Sequence, residues 1–564
     1  MRPFDMRSRL LFIPVVLALT QGAFNADDKA LKKAAAAIDE SSYRALVAGL
    51  AADDMKGRSP GTDGERRTAE FIEEQFLDLA LQPVSGGDFR HEVALVEITA
   101  SEQRLAFGKG GGGMTLAYGD DMVIATRRVR PESSIAESEV VFVGYGIVAP
   151  EYGWNDYAGL DMRGKTALIL VNDPGFVTGE ESLFRGKAMT YHGRWTYKFE
   201  EAARQGAAAA IIVHDTAAAA YDWDVVRNGW SGPQFYLDSP DGNAARSALE
   251  AWITQDRARQ LIELAGQDFE SLKAAAVKRG FKPVPLGVTV AAGVKNAIRH
   301  LRSPNLAAVM PGKDRPDEYV IYVAHWDHLG MAEEPGDDRV YNGAVDNATG
   351  VAGILAIARG FRDLLPGPSR SILFLAVTAE ESGLLGSEYY AERPLVPLEK
   401  TAAVINLDAL VPLGRAKDIE VIGFGASELE DLLGAAARSQ KRTLTPDRRA
   451  EAGYFYRSDN FNFAKAGVPV LYVKSGTTLR DGPPGAGLAL FDEYYAKRYH
   501  KPDDEYEESW NVSGSIEDFR LLFEVGARIA NGKTWPGWYE GNEFRAAREK
   551  SAASRATERK EKKD

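Results

Sequence analysis

Apolar positions recur at helical spacing between residues 28 and 82, as in Thr68-Ala69-Glu70-Phe71-Ile72-Glu73-Glu74-Gln75-Phe76-Leu77. The loop Gly57-Arg58-Ser59-Pro60-Gly61-Thr62-Asp63-Gly64 interrupts this pattern and caps the next helix. From 136 to 290 the texture changes. Val140-Val141-Phe142-Val143-Gly144-Tyr145-Gly146 and Thr166 to Val171 read as buried strands, Lys198 to Arg204 as a helix, and Ala209 to Val213 as another strand. From 291 strand and helix alternate regularly. Tyr319 to Ala324, Ile372 to Val377, Ala402 to Leu407 and Val468 to Val473 are apolar strands. Gly350 to Leu365 is an amphipathic helix closed by Pro366 and Gly367.

This alternation predicts an α/β fold with a mostly parallel central sheet flanked by helices, interrupted by a smaller α/β insert. The expected organisation is a first part of the main domain at 27–135, the insert at 136–290, the catalytic part at 291–545 and a charged, disordered tail at 546–564. Gly108 to Gly113 reads as a flexible turn, since it lacks the Lys-Ser/Thr ending and the context of a phosphate loop. At the N-terminus, Arg2, Arg7 and Arg9 precede an apolar run from Leu10 to Leu19. A run this short predicts a signal peptide over 1–22, cut after Gly22, and a periplasmic or secreted protein. No later segment reads as a transmembrane helix.

Composition narrows the chemistry. The formal net charge of -13 argues against nucleic acid as the main partner, because phosphate binding needs a basic surface. Cysteine is absent, so a metal site must use His, Asp and Glu, and no thiolate serves as nucleophile. Such residues gather at the predicted C-terminal ends of the strands, the edge where open α/β sheets bind ligands. One strand runs into His325-Trp326-Asp327, another into Glu380-Glu381, and a third ends at Asp408. Asp346 precedes a helix and His500 lies in a late loop. Two imidazoles and three carboxylates suffice for two zinc ions with a position left open for water. Of adjacent Glu380 and Glu381, one can bind metal while the other accepts the proton of that water. Asp327 is spaced to orient the His325 imidazole. His328 reads as part of the loop structure.

Taken together, Val323-Ala324-His325-Trp326-Asp327-His328-Leu329-Gly330, Asn342-Gly343-Ala344-Val345-Asp346-Asn347-Ala348-Thr349-Gly350 and Thr378-Ala379-Glu380-Glu381-Ser382-Gly383 resemble the dinuclear zinc aminopeptidase family, which includes secreted bacterial leucyl aminopeptidases. The order continues with Asn406-Leu407-Asp408, Arg457-Ser458-Asp459 and Tyr499-His500. The resemblance implies a zinc exopeptidase-like fold and two Zn2+. Asp346 would bridge them, His325 and Asp408 would hold one, Glu381 and His500 the other, and Glu380 would be the general base. It also implies a cis peptide after Asp346, a substrate contact from Arg457 and an oxyanion donor in Tyr499. Gly164-Lys165-Thr166-Ala167-Leu168-Ile169 and Ala202-Ala203-Arg204-Gln205-Gly206-Ala207 make the insert similar to a protease-associated domain.

The expected activity is hydrolysis of peptide bonds at free N-termini. A substrate ammonium suits a carboxylate-rich site, whereas a C-terminal carboxylate needs a basic cluster. Only Arg457 stands near the motifs. The rival readings are a carboxypeptidase or dipeptidase on the same scaffold, a one-zinc glutaminyl-cyclase-like acyltransferase, and a non-catalytic receptor-like relative.

Overall fold

The computed structural model describes residues 21–84, 86–332 and 338–561. One continuous sheet runs through them. From one edge its strands are Thr443–Pro446, Asp418–Val421, Val470–Ser475, Thr401–Asn406, Arg315–His325, Arg370–Val377, Val284–Met310, Glu132–Phe142, Thr166–Leu170, Ala209–Val213, Leu249–Ile253 and Met122–Ala125. It holds two parallel blocks. Val470–Ser475, Thr401–Asn406, Arg315–His325 and Arg370–Val377 form one. Glu132–Phe142, Thr166–Leu170, Ala209–Val213 and Leu249–Ile253 form the other. The 27-residue strand Val284–Met310 joins them, pairing antiparallel with Glu132–Phe142 along its first part and with Arg370–Val377 from Leu306 to Met310. The 20-residue strand Arg90–Lys109 runs antiparallel beside it.

Parallel strands buried on both faces read as unbroken apolar runs, and here side chains of one run divide between two cores. Val320, Tyr322 and Ala324 enter one core with Phe374 and Ile405, under the helices Glu40–Leu50, Thr349–Arg362 and Ser513–Asn531. Ile321 and Val323 enter the other with Leu375, Val404, Tyr390 and Phe463. The insert repeats the rule: Phe142, Leu168 and Ile211 face one side, Val141, Ile169 and Ile212 the other. The helices expected between 28 and 82 are Gln21–Ala35, Glu40–Leu50 and Asp63–Asp78. Thr62 caps the last by accepting from the Glu65 N–H, as the loop before it predicts.

Two expectations meet a different arrangement, and a third falls outside the described residues. Residue 136 lies inside the strand Glu132–Phe142, and Met122–Ala125 is the edge strand of the insert's block, so that block draws on residues ahead of 136. The charged tail is helical over Arg545–Glu561. Two of its arginines are taken up by backbone carbonyls: Arg548 donates to Thr401 and Ala402 at 3.0 and 2.9 Å, and Arg555 to Glu399 at 2.7 Å. The segment expected to direct export lies, but for its last two residues, outside the described residues.

Helix Ser513–Asn531 lies over strand Arg315–His325 so closely that a Cβ at Gly526 would overlap the Tyr322 hydroxyl, which donates to the Leu522 carbonyl at 2.9 Å. Gly526→Ala should therefore cost about 1–3 kcal/mol of stability, as overpacking of a core does. Adding Tyr322→Phe should return part of it, and denaturant midpoints of the single and double variants read both effects.

Candidate metal centre

The parallel strands deliver their chemistry at one edge. His325 is the last residue of Arg315–His325, Glu380 and Glu381 follow Arg370–Val377, and Asp408 follows Thr401–Asn406. Asp346 sits at the start of the helix that begins at Thr349, next to a cis Asp346–Asn347 peptide. His500 occupies a loop residue with positive φ after the helix Ala486–Lys497.

These side chains converge. His325 Nε2 lies 3.2 Å from Asp346 Oδ1 and 3.7 Å from Asp408 Oδ1. On the other flank, His500 Nε2 lies 3.1 Å from both Asp346 Oδ2 and Glu381 Oε2. Asp346 thus offers one oxygen to each imidazole. His325, Asp346 and Glu381 bring one donor atom each within 4.8 Å of one another, and so do His325, Glu380 and Asp408. His325, Asp346 and Asp408 are buried, while His500 keeps 36% of its side chain exposed and marks the open side.

The backbone is fixed around them. Asp327 was expected to orient His325, but its carboxylate stands 3.9 Å from His325 Nδ1, which instead lies 3.1 Å from the Asp327 carbonyl. The carboxylate accepts the N–H groups of Glu380 and Glu381, at 3.1 and 3.3 Å, and so holds the turn that aims both glutamates. A tight turn after the strand leaves those two N–H groups without ladder partners, and Asp327 meets that need. Asp504 does the same for Val345 and Asp346, at 3.0 and 3.1 Å. Arg58, fully buried, donates to the carbonyls of Leu50, Trp326 and Gly343.

The electrostatics follow from crowding acids out of water. Burial, opposed by His325 and reinforced by Glu381 and Asp459, pushes the Glu380 carboxyl well above the usual range. Burial also raises Asp327 and Asp459 to about 7. For Glu381 burial is outweighed, chiefly by His500, and its carboxyl is held down at about 2. Asp346 is likewise held well below the usual range, because the hydrogen bonds from His325 and His500 overcome its burial. Burial works against charge on His325 as well, yet Glu380 and Asp346 hold that imidazole well above its ordinary value. Two imidazole nitrogens facing a shared carboxylate, with further carboxylates behind, form a donor set suited to a pair of divalent cations and to zinc in particular.

Residues 305–523 match the family model described as Peptidase family M28. These residues form an M28 peptidase domain. Among curated relatives, a stretch of 140 residues, 23% of this chain, is 37% identical to Aminopeptidase NAALADL1 of Mus musculus and spans 17% of that protein. A stretch of 115 residues, 20% of this chain, is 36% identical to a Probable zinc metalloprotease of Pyrenophora tritici-repentis and spans 25% of it. The chain therefore spans no more than a quarter of the length of these relatives. Among solved structures, the Aminopeptidase from Aneurinibacillus sp. strain AM-1 aligns over 89% of this chain and 96% of its own, with 20% identity and a TM-score of 0.48.

Of the two further expected site residues, Tyr499 stands beside the centre, while the contacts of Arg457 lie with other rings. The Tyr499 ring stacks on His500, with ring centres 3.9 Å apart. Arg457 lies over the rings of Tyr221 and Tyr454, at 5.6 and 5.8 Å. Other contributors were not read from the sequence. His328, taken as loop structure, has Nδ1 at 2.6 Å from Glu381 Oε1. The Tyr472 hydroxyl donates to Asp408 Oδ2 at 3.1 Å, and Lys474 donates to the Asp408 carbonyl at 2.6 Å. The Tyr499-His500-Lys501-Pro502-Asp503-Asp504 stretch held the signal for Asp504, a carboxylate close behind a candidate ligand.

Because His328 orients Glu381, His328→Ala in the M28 domain should weaken metal retention about 10–100-fold, the cost typical of losing a partner that orients a ligand. Zinc content after dialysis against graded chelator measures it. His328→Gln, which keeps a hydrogen-bonding side chain, should lose less.

Proposed function

We propose that the M28 domain is a dinuclear zinc exopeptidase that removes residues from the free N-termini of peptides, and that it acts after export. The observation that carries this reading is Asp346, whose two carboxylate oxygens face His325 and His500 on opposite flanks. His325, Asp346 and Asp408 would hold one zinc, and Asp346, Glu381 and His500 the other. When bound, the ions supply an acidified water and a Lewis-acid contact for the peptide carbonyl.

The chain's own groups carry the proton and place the substrate. Glu380 stands in the site with its backbone N–H tied to Asp327, so the turn that carries it is fixed while burial raises the proton affinity of its carboxyl. That combination suits a base that takes a proton from water and later passes it to the leaving amine. The Tyr499 hydroxyl is the candidate donor to the developing oxyanion. The carboxylates around Asp408 suit the ammonium of a free N-terminus. The short apolar run behind Arg2, Arg7 and Arg9 supports action outside the cytoplasm.

Glu380→Gln should keep zinc while kcat falls on the order of 10²-fold or more. Glu381→Gln should lose zinc. Metal analysis beside kinetics separates the two, and equal zinc loss in both variants would overturn the division of roles.

A peptide with a free amine should be cleaved, its N-acetylated counterpart should not, and C-terminal amidation should leave the rate within about an order of magnitude. Cleavage that survives acetylation but needs the free carboxylate would move the protein to the carboxypeptidase reading.

A further inference from the structure

A cavity of about 110 Å³ lies where the insert meets the M28 domain. The loop ahead of the helix Trp195–Arg204 brings Arg185 and Met189 to it, and the Met189 N–H donates to the Ala450 carbonyl at 3.1 Å. The M28 domain supplies the rest of the wall. None of His325, Asp346, Glu380, Glu381, Asp408 and His500 lines the cavity. Gly423 and Phe424 line it just after strand Asp418–Val421, which runs antiparallel to Val470–Ser475. That strand is parallel to Thr401–Asn406, so Gly423 and Phe424 lead away from the edge at which Asp408 stands.

The lining is aromatic, cationic and anionic by turns. Phe455 and Phe544 are buried and stacked, with ring centres 6.2 Å apart, while Phe424 is exposed. Arg185 donates to the Phe424 carbonyl at 3.1 Å through one Nη. Asp447 accepts the Arg449 N–H at 2.8 Å on Oδ1, and Glu543 accepts the Tyr456 hydroxyl at 2.8 Å on Oε1. Among the described residues Arg185 makes no ion pair with either carboxylate, and Arg448, next to Asp447, pairs with Glu420. Burial, reinforced by Glu420 and Glu451, lifts the Asp447 carboxyl to about 6. A carboxylate short of water gains from a cation placed beside it.

A cation and two anions that share a cavity without pairing across it suit a zwitterion. Its carboxylate matches the guanidinium fork, and its ammonium meets the acids. Aromatic rings take up an apolar side chain. The volume is well below the roughly 300–1,000 Å³ of sites for drug-sized ligands, so the occupant is small. We propose that this cavity binds a free amino acid with an apolar side chain, its carboxylate on Arg185, its ammonium on Asp447 and Glu543, and its side chain on the phenylalanine rings. Because Arg185 and Met189 belong to the insert, the bound amino acid fastens the insert to the M28 domain. An exopeptidase releases such a molecule. That link rests on the proposed function, whereas the binding does not.

The test is calorimetric titration of the full-length zinc-loaded protein with leucine. The wild type should bind it. N-acetyl-leucine, leucinamide and serine each remove one of the three contacts and should bind at least about tenfold more weakly, the cost of a lost charged hydrogen bond or a lost apolar contact. Arg185→Gln should weaken leucine binding by a similar factor. Hydrogen exchange supplies the second readout. Leucine should slow exchange of the Met189 N–H in the wild type and leave it unchanged in Arg185→Gln. No binding by the wild type overturns the proposal. So does binding that survives Arg185→Gln, which would place leucine in the metal centre, and so does binding that leaves Met189 exchange unaltered. If the protein cleaves no peptide, the peptidase reading fails and the titration still decides the cavity. Should Arg185→Gln not fold, Asp447→Asn replaces it in both measurements.

Discussion

Carboxylates packed together out of water set the terms for this structure. Asp327, Asp346, Glu380, Glu381, Asp408 and Asp459 meet at one sheet edge, and each would repel its neighbours if left to itself. The chain answers with fixed donors. Backbone N–H groups of Glu380 and Glu381 bind Asp327, and imidazoles bind Asp346 and Glu381. A lysine and a tyrosine hold Asp408. The answers differ from acid to acid, and so the affinities for protons diverge. Glu380 is driven up while Glu381, its neighbour in sequence, is driven down. Adjacent side chains of one type thereby differ in the form, protonated or ionised, that each favours.

The insert is part of the same construction. Strand Val284–Met310 pairs antiparallel with the bordering strand of each parallel block, so a displacement of the insert's block is transmitted along a hydrogen-bonded strand that also borders Arg370–Val377. That strand leads directly to Glu380. The loop carrying Met189 and Tyr191 makes a second contact with the M28 domain, at Ala450 and Phe461. The insert is thus held at two places.

Much of this was legible from residue order. Apolar runs ending in His325, Glu380 and Asp408 marked the strand ends, because a buried parallel strand has few other ways to end in a charge. The pairing of Asp346 with His500 rested on resemblance, since nothing local links residues so far apart. His328 escaped because its partner, Glu381, lies on another strand, and three-residue spacing in a loop carries no information about facing. Arg185 escaped for the same reason, as it reaches Phe424 only through the docking of a loop. The tail misled because arginines suited to water are equally suited to unpaired carbonyls at the start of a strand. Composition does not distinguish the two.

Arg58 joins parts of the chain that sequence keeps far apart. One buried guanidinium gathers the end of the helix Glu40–Leu50, the loop after His325 and the turn before Asp346. Its charge also lies within the field of Asp504, Asp327 and Asp346. The matched domain begins at residue 305, yet this tie comes from well upstream of it. The smallest autonomous catalytic piece is consequently larger than the homologous segment. A gene fragment cut at the domain's margin would leave the loops of His325 and Asp346 without their common anchor, however complete its set of ligands.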